Sequence, residues 1–449
     1  MPSQNGANSR QRQMSLSMFL TGDGNYHMAG WRLPDARFDG GHSIECWIEA
    51  ARIMERGKID MMFIADGTAV DGADDLETLS YTSRIDRMDP IAILSAVSMV
   101  TTRLGLGATI STTFNEPFNI ARIIASLDHI CKGRAAWNIV TGANKNDALN
   151  YNHAEPVPHA ERYDRAEEFV DVVRGLWDTY SDDAFPRDRA SRYLDPTRVR
   201  VLNHNGRHFS VRGPLSVPRT PQGHPVLIQA GSSDAGMALS ARVADIVFTS
   251  QSSREGAARF YTSIKERAAQ FGRNPDTIKV LPSALLFIGP TNEAAREKYE
   301  ELQSLIPLPL ALQRLSNNLG GVDLSSFDLD GPLPHIPPNA VRVGGVASYL
   351  EIARREGLTL RETAMRSAAG KHHWPLIGSP GHIADQLEDW FSHGAADGFT
   401  ILSSHVLGGV SDFVDLIVPI LQKRGLFRTE YPGETLRDTL GLQAPQRSA

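Results

Sequence analysis

A chain of 449 residues with 41% hydrophobic and 22% charged residues has the make-up of an ordinary globular protein, and no apolar run reaches the roughly 18 residues a bilayer span needs. The net charge of −6 is spread without a basic stripe or an acidic tail, which argues against nucleic acid and membrane surfaces and for small molecules as partners. Two cysteines, Cys46 and Cys131, form no Cys-x-x-Cys pair, and the opening MPSQNGANSRQRQ has no apolar signal stretch, so both thiols read as structural and the expected setting is a reducing cytoplasm.

In chain order, short β-branched runs alternate with longer segments of helical period, as in a parallel sheet with helices packed outside it. The strand candidates are QMSLSMFLTG from Gln13, DMMFIAD from Asp60, LGLGATIST from Leu104, AAWNIVTG from Ala135, PVLIQAG from Pro225, DIVFTS from Asp245, IKVLPSALLFIG from Ile278 and GFTILSS from Gly398. A helical pattern follows each one. Eight such units predict an α/β fold, a single (β/α)8 TIM barrel. A doubly wound open sheet is the competitor, but neither G-x-G-x-x-G nor G-x-x-x-x-G-K-[ST] occurs.

A minimal barrel takes about 250 residues, so some 200 belong to insertions and termini. Two insertions are expected, about 181–224 before strand 5 and about 291–378 after strand 7. The first carries a hairpin signal at NHNGRHFSV, and the second is broken by GPLPHIPPNA and ends at His372, His373 and Trp374. The barrel proper then spans 14–430, between a flexible start (1–13) and a surface tail (431–449).

A barrel builds its active site where the strands end, so polar residues there are the candidates. Strand 2 ends in Asp66, a costly carboxylate on an apolar run unless it finds a partner. Strand 3 ends in Ser111, Thr112 and Thr113, strand 4 in Thr141 and strand 5 in Gly231, Ser232 and Ser233. The string GSSDAG opens a helix with free backbone N–H groups, a seat that suits a phosphate as well as a plain helix cap. His159 and Tyr163 lie one turn apart on one helix face and could grip one ligand, or Tyr163 could simply pack. His27 and Trp31, in GDGNYHMAGWRLP, suit a substrate wall or a surface loop. His204 with His208, and His372 with His373, lack the ligand company of a zinc site, so no metal is expected. With no G-x-S-x-G present, hydrolase readings lose ground.

Several long strings carry a resemblance: GRAAWNIVTGAN, HAERYDRAEEFVDVVRGLWD, YLDPTRVRVLNHNGRHFSVRGPL, PVLIQAGSS, IGSPGHIADQLEDWF and VPILQKRGLFRTEYPGETLRDTLGL. Together they run from about Met14 to Leu442. The chain resembles the nitrilotriacetate, dibenzothiophene sulfone and long-chain alkane monooxygenase group of the bacterial luciferase-like flavin-dependent monooxygenases. The resemblance implies a barrel that binds reduced FMN (FMNH2) supplied by a separate NAD(P)H-dependent flavin reductase. It further implies reaction with O2 through a flavin peroxide adduct and transfer of one oxygen atom to a small organic substrate.

Carried over residue by residue, the resemblance makes Asp66, Thr112, Asn138, His159, Tyr163, Ser232 and Ser233 cofactor contacts. Asn138 could equally point into the closed core. His159 and His27 become the catalytic candidates, and His27, Trp31 and His372 the substrate side. The alkane enzyme is expected to have a cysteine near the first strand end, and GDGNYHM has none. Relatives imply a dimer or tetramer. The competing functions are a deazaflavin-dependent hydride-transfer enzyme and a flavin-binding protein without turnover.

Overall fold

The structure, a computed structural model, describes residues 12–22, 25–37, 39–70, 72, 74–142, 144–319, 321–335, 350, 353–370 and 373–447. Its strands are β1 (Ser15–Leu20), β2 (Met61–Ile64), β3 (Gly105–Ser111), β4 (Ala135–Val140), β5 (His204–Asn205), β6 (Ser210–Val211), β7 (Val226–Gln229), β8 (Ile246–Thr249), β9 (Lys279–Ile288), β10 (Trp374–Gly378) and β11 (Gly398–Ser403). The parallel order β1-β2-β3-β4-β7-β8-β9-β11 returns to β1, closing an eight-stranded barrel through Ser15↔Gly398 to Phe19↔Leu402. The (β/α)8 barrel expected from the alternating pattern is what the chain forms.

Around it run α1 (Ile44–Arg56), α2 (Leu76–Leu79), α3 (Pro90–Ser98), α4 (Pro117–Ile130), α5 (Lys145–Asn150), α6 (His159–Trp177), α7 (Asp234–Val243), α8 (Arg254–Gln270), α9 (Asn292–Ser304), α10 (Leu308–Asn318), α11 (Leu360–Gly370) and α12 (Pro380–Ser392). Local chemistry sets their starts. Asp89 accepts from the N–H groups of Ile91 and Ala92 at 2.8 and 3.3 Å, with Pro90 at the first helical position, where its missing N–H costs nothing. Ser233, Ser253 and Thr291 cap α7, α8 and α9 in the same way.

Strand alternation sorts the core. Leu16, Met18, Leu20, Met62, Ile64, Leu106 and Ala108 face outward under the helices, while Met61, Phe63, Ala136, Val226 and Ile228 fill the barrel. Near the top of the interior, Phe19 meets Phe63 edge-on at 5.0 Å and stacks on Phe248 at 5.7 Å.

The first insertion carries the expected hairpin, with β5 and β6 antiparallel. Its histidines are staples. His204 and His208 each pair at 2.9 Å with a carboxylate of α6, Glu168 and Asp164 respectively. In the second insertion, α10 and α11 bury Leu310, Leu315, Leu360 and Ala364 in one apolar cluster with Tyr26, Met28 and Phe287, which lie beyond or at the ends of β1 and β9. The insertion ends in β10, a strand absent from the eight read in the sequence, which pairs with the upper half of β9.

After β11 come α13 (Gly408–Asp412), a π-helical turn (Phe413–Ile417) and α14 (Val418–Lys423), the wide turn standing just before Pro419, whose ring cannot donate. The segment expected as a surface tail behaves differently. In α15 (Leu436–Leu440), Leu436 and Leu440 are buried and join Leu442 against Met61, Ala136, Val226 and Ile246 at the floor of the barrel. Arg437 pairs with Asp245 at 2.8 Å, and Arg428 with the buried Asp60 at 2.7 Å. An apolar barrel interior open at the bottom would face water, and this stretch closes it. Gly105 permits the fit, because a Cβ there would stand 2.6 Å from Leu436 Cδ1. Among the described residues no helix is long and apolar enough to cross a membrane.

Candidate functional site

A cavity of about 420 Å3 opens at the carboxyl ends of β2, β3, β4 and β7. That is within the range of roughly 300–1,000 Å3 usual for cofactor pockets. Five of the residues read from the sequence meet there: Asp66, His159, Tyr163, Ser232 and Ser233. Each arrives by a different piece of chain. Asp66 stands two residues past β2, His159 and Tyr163 open α6, and the two serines form the turn from β7 into α7.

Asp66 is half-buried, and loss of water raises its pKa above the ordinary carboxylate value, an effect the nearby Arg87 guanidinium opposes. Beyond it the loop is tied down, Thr68 Oγ1 donating to Asp147 at 3.0 Å. The His159 and Tyr163 rings lie 4.8 Å apart on one helix face. Tyr163 reaches across to the β7–α7 turn, where Gly231 and Gly236 leave room for its hydroxyl. A Cβ on Gly231 would be 2.9 Å from that oxygen and 2.6 Å from Gly236 Cα.

The phosphate-sized end has a definite character. Ser233 Oγ accepts from Gly236 N–H at 3.2 Å, capping α7, while Ser232 is exposed. Arg162, which lines the same cavity, is buried, its Nη1 donating to the carbonyls of Thr141 and Gly142 at 3.2 and 2.8 Å. Among the described residues its buried Nε has no hydrogen-bond partner, an orphaned donor on a residue that lines the cavity. A guanidinium and a helix N-terminus lining one cavity suit an anionic group.

Ser111, Thr141 and Gly231, also read as strand ends, line the cavity too, whereas the remaining sequence-read residues lie elsewhere. Thr112 is fully buried with its hydroxyl directed to the Val140 carbonyl at 3.3 Å, and its neighbour Ser111 lines the cavity in its place. Asn138 points into the barrel and donates to Thr109 Oγ1 at 3.0 Å; Thr109 lines the cavity, and the buried Asn138 Oδ1 has no hydrogen-bond partner among the described residues.

His27 is buried against the insertion, edge-on to Phe287 at 5.9 Å, with Nδ1 accepting from Ala29 N–H at 3.2 Å. Burial, helped by the charge of Arg84, lowers its pKa to about 3, so the ring is neutral at working pH. Trp31 donates to the Tyr81 carbonyl at 3.3 Å, outside the cavity. His372 lies outside the described residues. Its neighbour His373 is buried in the mouth, bonded to Tyr26 Oη at 2.6 Å and Ser283 Oγ at 2.5 Å.

Sequence reasoning passed over Phe114, Asp147, Arg162 and Gln229, all of which line the cavity. Two of them had a signal. Arg162 follows His159 by three residues and so shares its helix face, and Gln229 is a polar residue inside the apolar run PVLIQ.

Comparisons with known proteins agree with this geometry. The model of the family described as luciferase-like monooxygenase matches residues 26–397. The chain is 46% identical to N-acetyl-S-(2-succino)cysteine monooxygenase of Bacillus subtilis (strain 168), over 97% of this chain and 98% of that protein. It is 44% identical to nitrilotriacetate monooxygenase component A of Aminobacter aminovorans, over 99% of each. A crystal structure of riboflavin lyase with modified FMN and riboflavin superposes with a TM-score of 0.85 at 30% identity, covering 96% of both chains. The chain therefore belongs to the luciferase-like monooxygenase family and is a flavin-dependent monooxygenase.

Proposed function

We propose that the chain is the oxygenase component of a two-component system, receiving reduced FMN from a separate NAD(P)H-dependent flavin reductase and using O2 to place one oxygen atom in a small organic substrate. The observation that carries this reading is the cavity of about 420 Å3 whose lining brings the Arg162 guanidinium and the start of α7 together with Asp66, Ser111 and Phe114. The residues present fit FMN. Ser232, Ser233 and Arg162 would hold its phosphate, and Asp66, Ser111, His159 and Tyr163 would surround its ring.

Bound reduced FMN would supply the electrons that activate O2. The chain's own part is placement and exclusion. Asp66, whose pKa burial raises above the ordinary carboxylate value, offers a polar side chain to the ring from the end of β2. Phe114, stacked on Tyr151 at 4.9 Å, walls one side against water. The fully buried Thr112 supports the end of β3 from behind. The oligomer proposed is a dimer or tetramer, and the setting cytoplasmic.

The test supplies reduced FMN through a generic flavin reductase with isotopically labelled O2 and a panel of carboxylates, sulfones, sulfides and alkanes, following products by mass. Products carrying one labelled oxygen atom are expected. Tight binding of reduced FMN with no labelled product from the panel would instead favour a flavin-binding protein without turnover.

A further inference from the structure

Gln229 ends β7, buried, in a run that is otherwise apolar. A buried amide is costly unless both of its halves are bonded. One half is. Gln229 Oε1 accepts from Gly231 N–H at 2.6 Å. The buried Ser240 hydroxyl of α7 lies between that oxygen and the Gly236 carbonyl, 2.8 Å from the latter.

The backbone decides which way the amide is turned. Gly231 N–H can only donate, so the atom that meets it is the amide oxygen, and Nε2 takes the other branch. Among the described residues nothing accepts from Nε2. A Cβ on Gly231 would stand 2.9 Å from that nitrogen, so glycine keeps the space beside it open. Gln229, Gly231, Ser232 and Ser233 all line the cavity.

This arrangement bears on an anion at the start of α7. Gly231 N–H is spent on Gln229 and cannot serve such an anion itself. The amide passes the bond on. Accepting hydrogen bonds at its oxygen polarises an amide and strengthens the donors on its nitrogen.

We propose that Gln229 reads the phosphate of the flavin, donating to it through Nε2 beside the two serines, and so sets a preference for FMN over unphosphorylated flavin. This deepens the reading above and rests on flavin occupying the cavity.

FMN and riboflavin, which differ only in the phosphate, serve as probes. Each is titrated by flavin fluorescence into the full wild-type chain and into Gln229→Glu and Gln229→Met, with thermal unfolding of the unliganded chains run beside. The wild type is expected to prefer FMN. Gln229→Glu keeps an oxygen for Gly231 N–H and Ser240, so the turn stays locked, and it puts a carboxylate oxygen where Nε2 stood. Its preference for FMN over riboflavin should fall about 10- to 100-fold. Gln229→Met removes the donor without adding charge, and its preference should fall roughly 3- to 10-fold. Damage to the fold would lower Tm and weaken both flavins alike, leaving their ratio unmoved, so the ratio separates a phosphate contact from a structural role.

An unaltered ratio in either folded variant, or equal binding of the two flavins by the wild type, would overturn the assignment of Gln229. A wild-type chain that takes up neither flavin would overturn the flavin reading itself, and the assignment with it.

Discussion

His27 is the residue whose environment departs furthest from what its loop suggests. A Gly-rich segment after a strand reads as a substrate wall, yet the ring is sealed between Phe287 and the insertion and titrates only at about pH 3, against an ordinary 6.5. The unfolded chain then binds a proton that the folded chain refuses. Stability is complete above about pH 6.5 and falls as pH drops toward 3, by about 1.4 kcal/mol per unit from this residue. His27→Gln should flatten the acid side of a stability-versus-pH curve by that slope. Denaturant midpoints at pH 4, 5, 6 and 7 measure it, and an unchanged slope would show that the ring is solvated.

The serines are the simpler case. Ser232→Ala with Ser233→Ala is expected to weaken FMN binding by about 2 to 4 kcal/mol through two charge-assisted hydrogen bonds. Calorimetry with unchanged affinity would remove the phosphate from the start of α7. Asp66, His159, Tyr163 and both serines were legible because a barrel sends its strand ends to one place. Thr112 shows the limit: adjacent residues of a strand point opposite ways, and the string STT does not say which of them faces the ligand.

Among the elements, the β7–α7 turn sets the site's shape. Gly231 and Gly236 approach so closely that no side chain fits between them. Gly231→Ala should push the start of α7 and the Tyr163 hydroxyl apart, lowering stability by about 1–3 kcal/mol together with FMN affinity. Thermal unfolding and a flavin titration on the same variant check both, and a neutral result in each would mean that the turn is slack. The strands were readable from their runs except β10. Its WPLIG holds Pro375, which normally argues against a strand, but among the described residues β10 pairs with β9 alone, and an edge strand is where proline is tolerated.

For the molecule as a whole, stability depends on a short segment at the far end from the chemistry. Leu436→Ala should cost about 2–5 kcal/mol, since it opens a void under Gly105 at the barrel floor. A urea midpoint shifted by less than 1 kcal/mol equivalent would show that the floor collapses to fill the gap. Five helical residues after a Pro-Gly pair carry too little periodicity to reveal a core element, which is why the sequence read this stretch as surface.

On the edge away from β11, β9 serves two partners in turn, Lys279–Pro282 lying against β8 and Ala284–Ile288 against β10. The roof over the mouth is thereby sewn to the wall along one seam of backbone bonds, and lifting that side means unzipping a parallel ladder. Thr68, Phe114 and His159, which line the cavity, lie in no strand. Amide exchange at Leu376, Ile377 and Gly378 should stay slow with or without flavin, and rapid exchange there would mean that the seam parts.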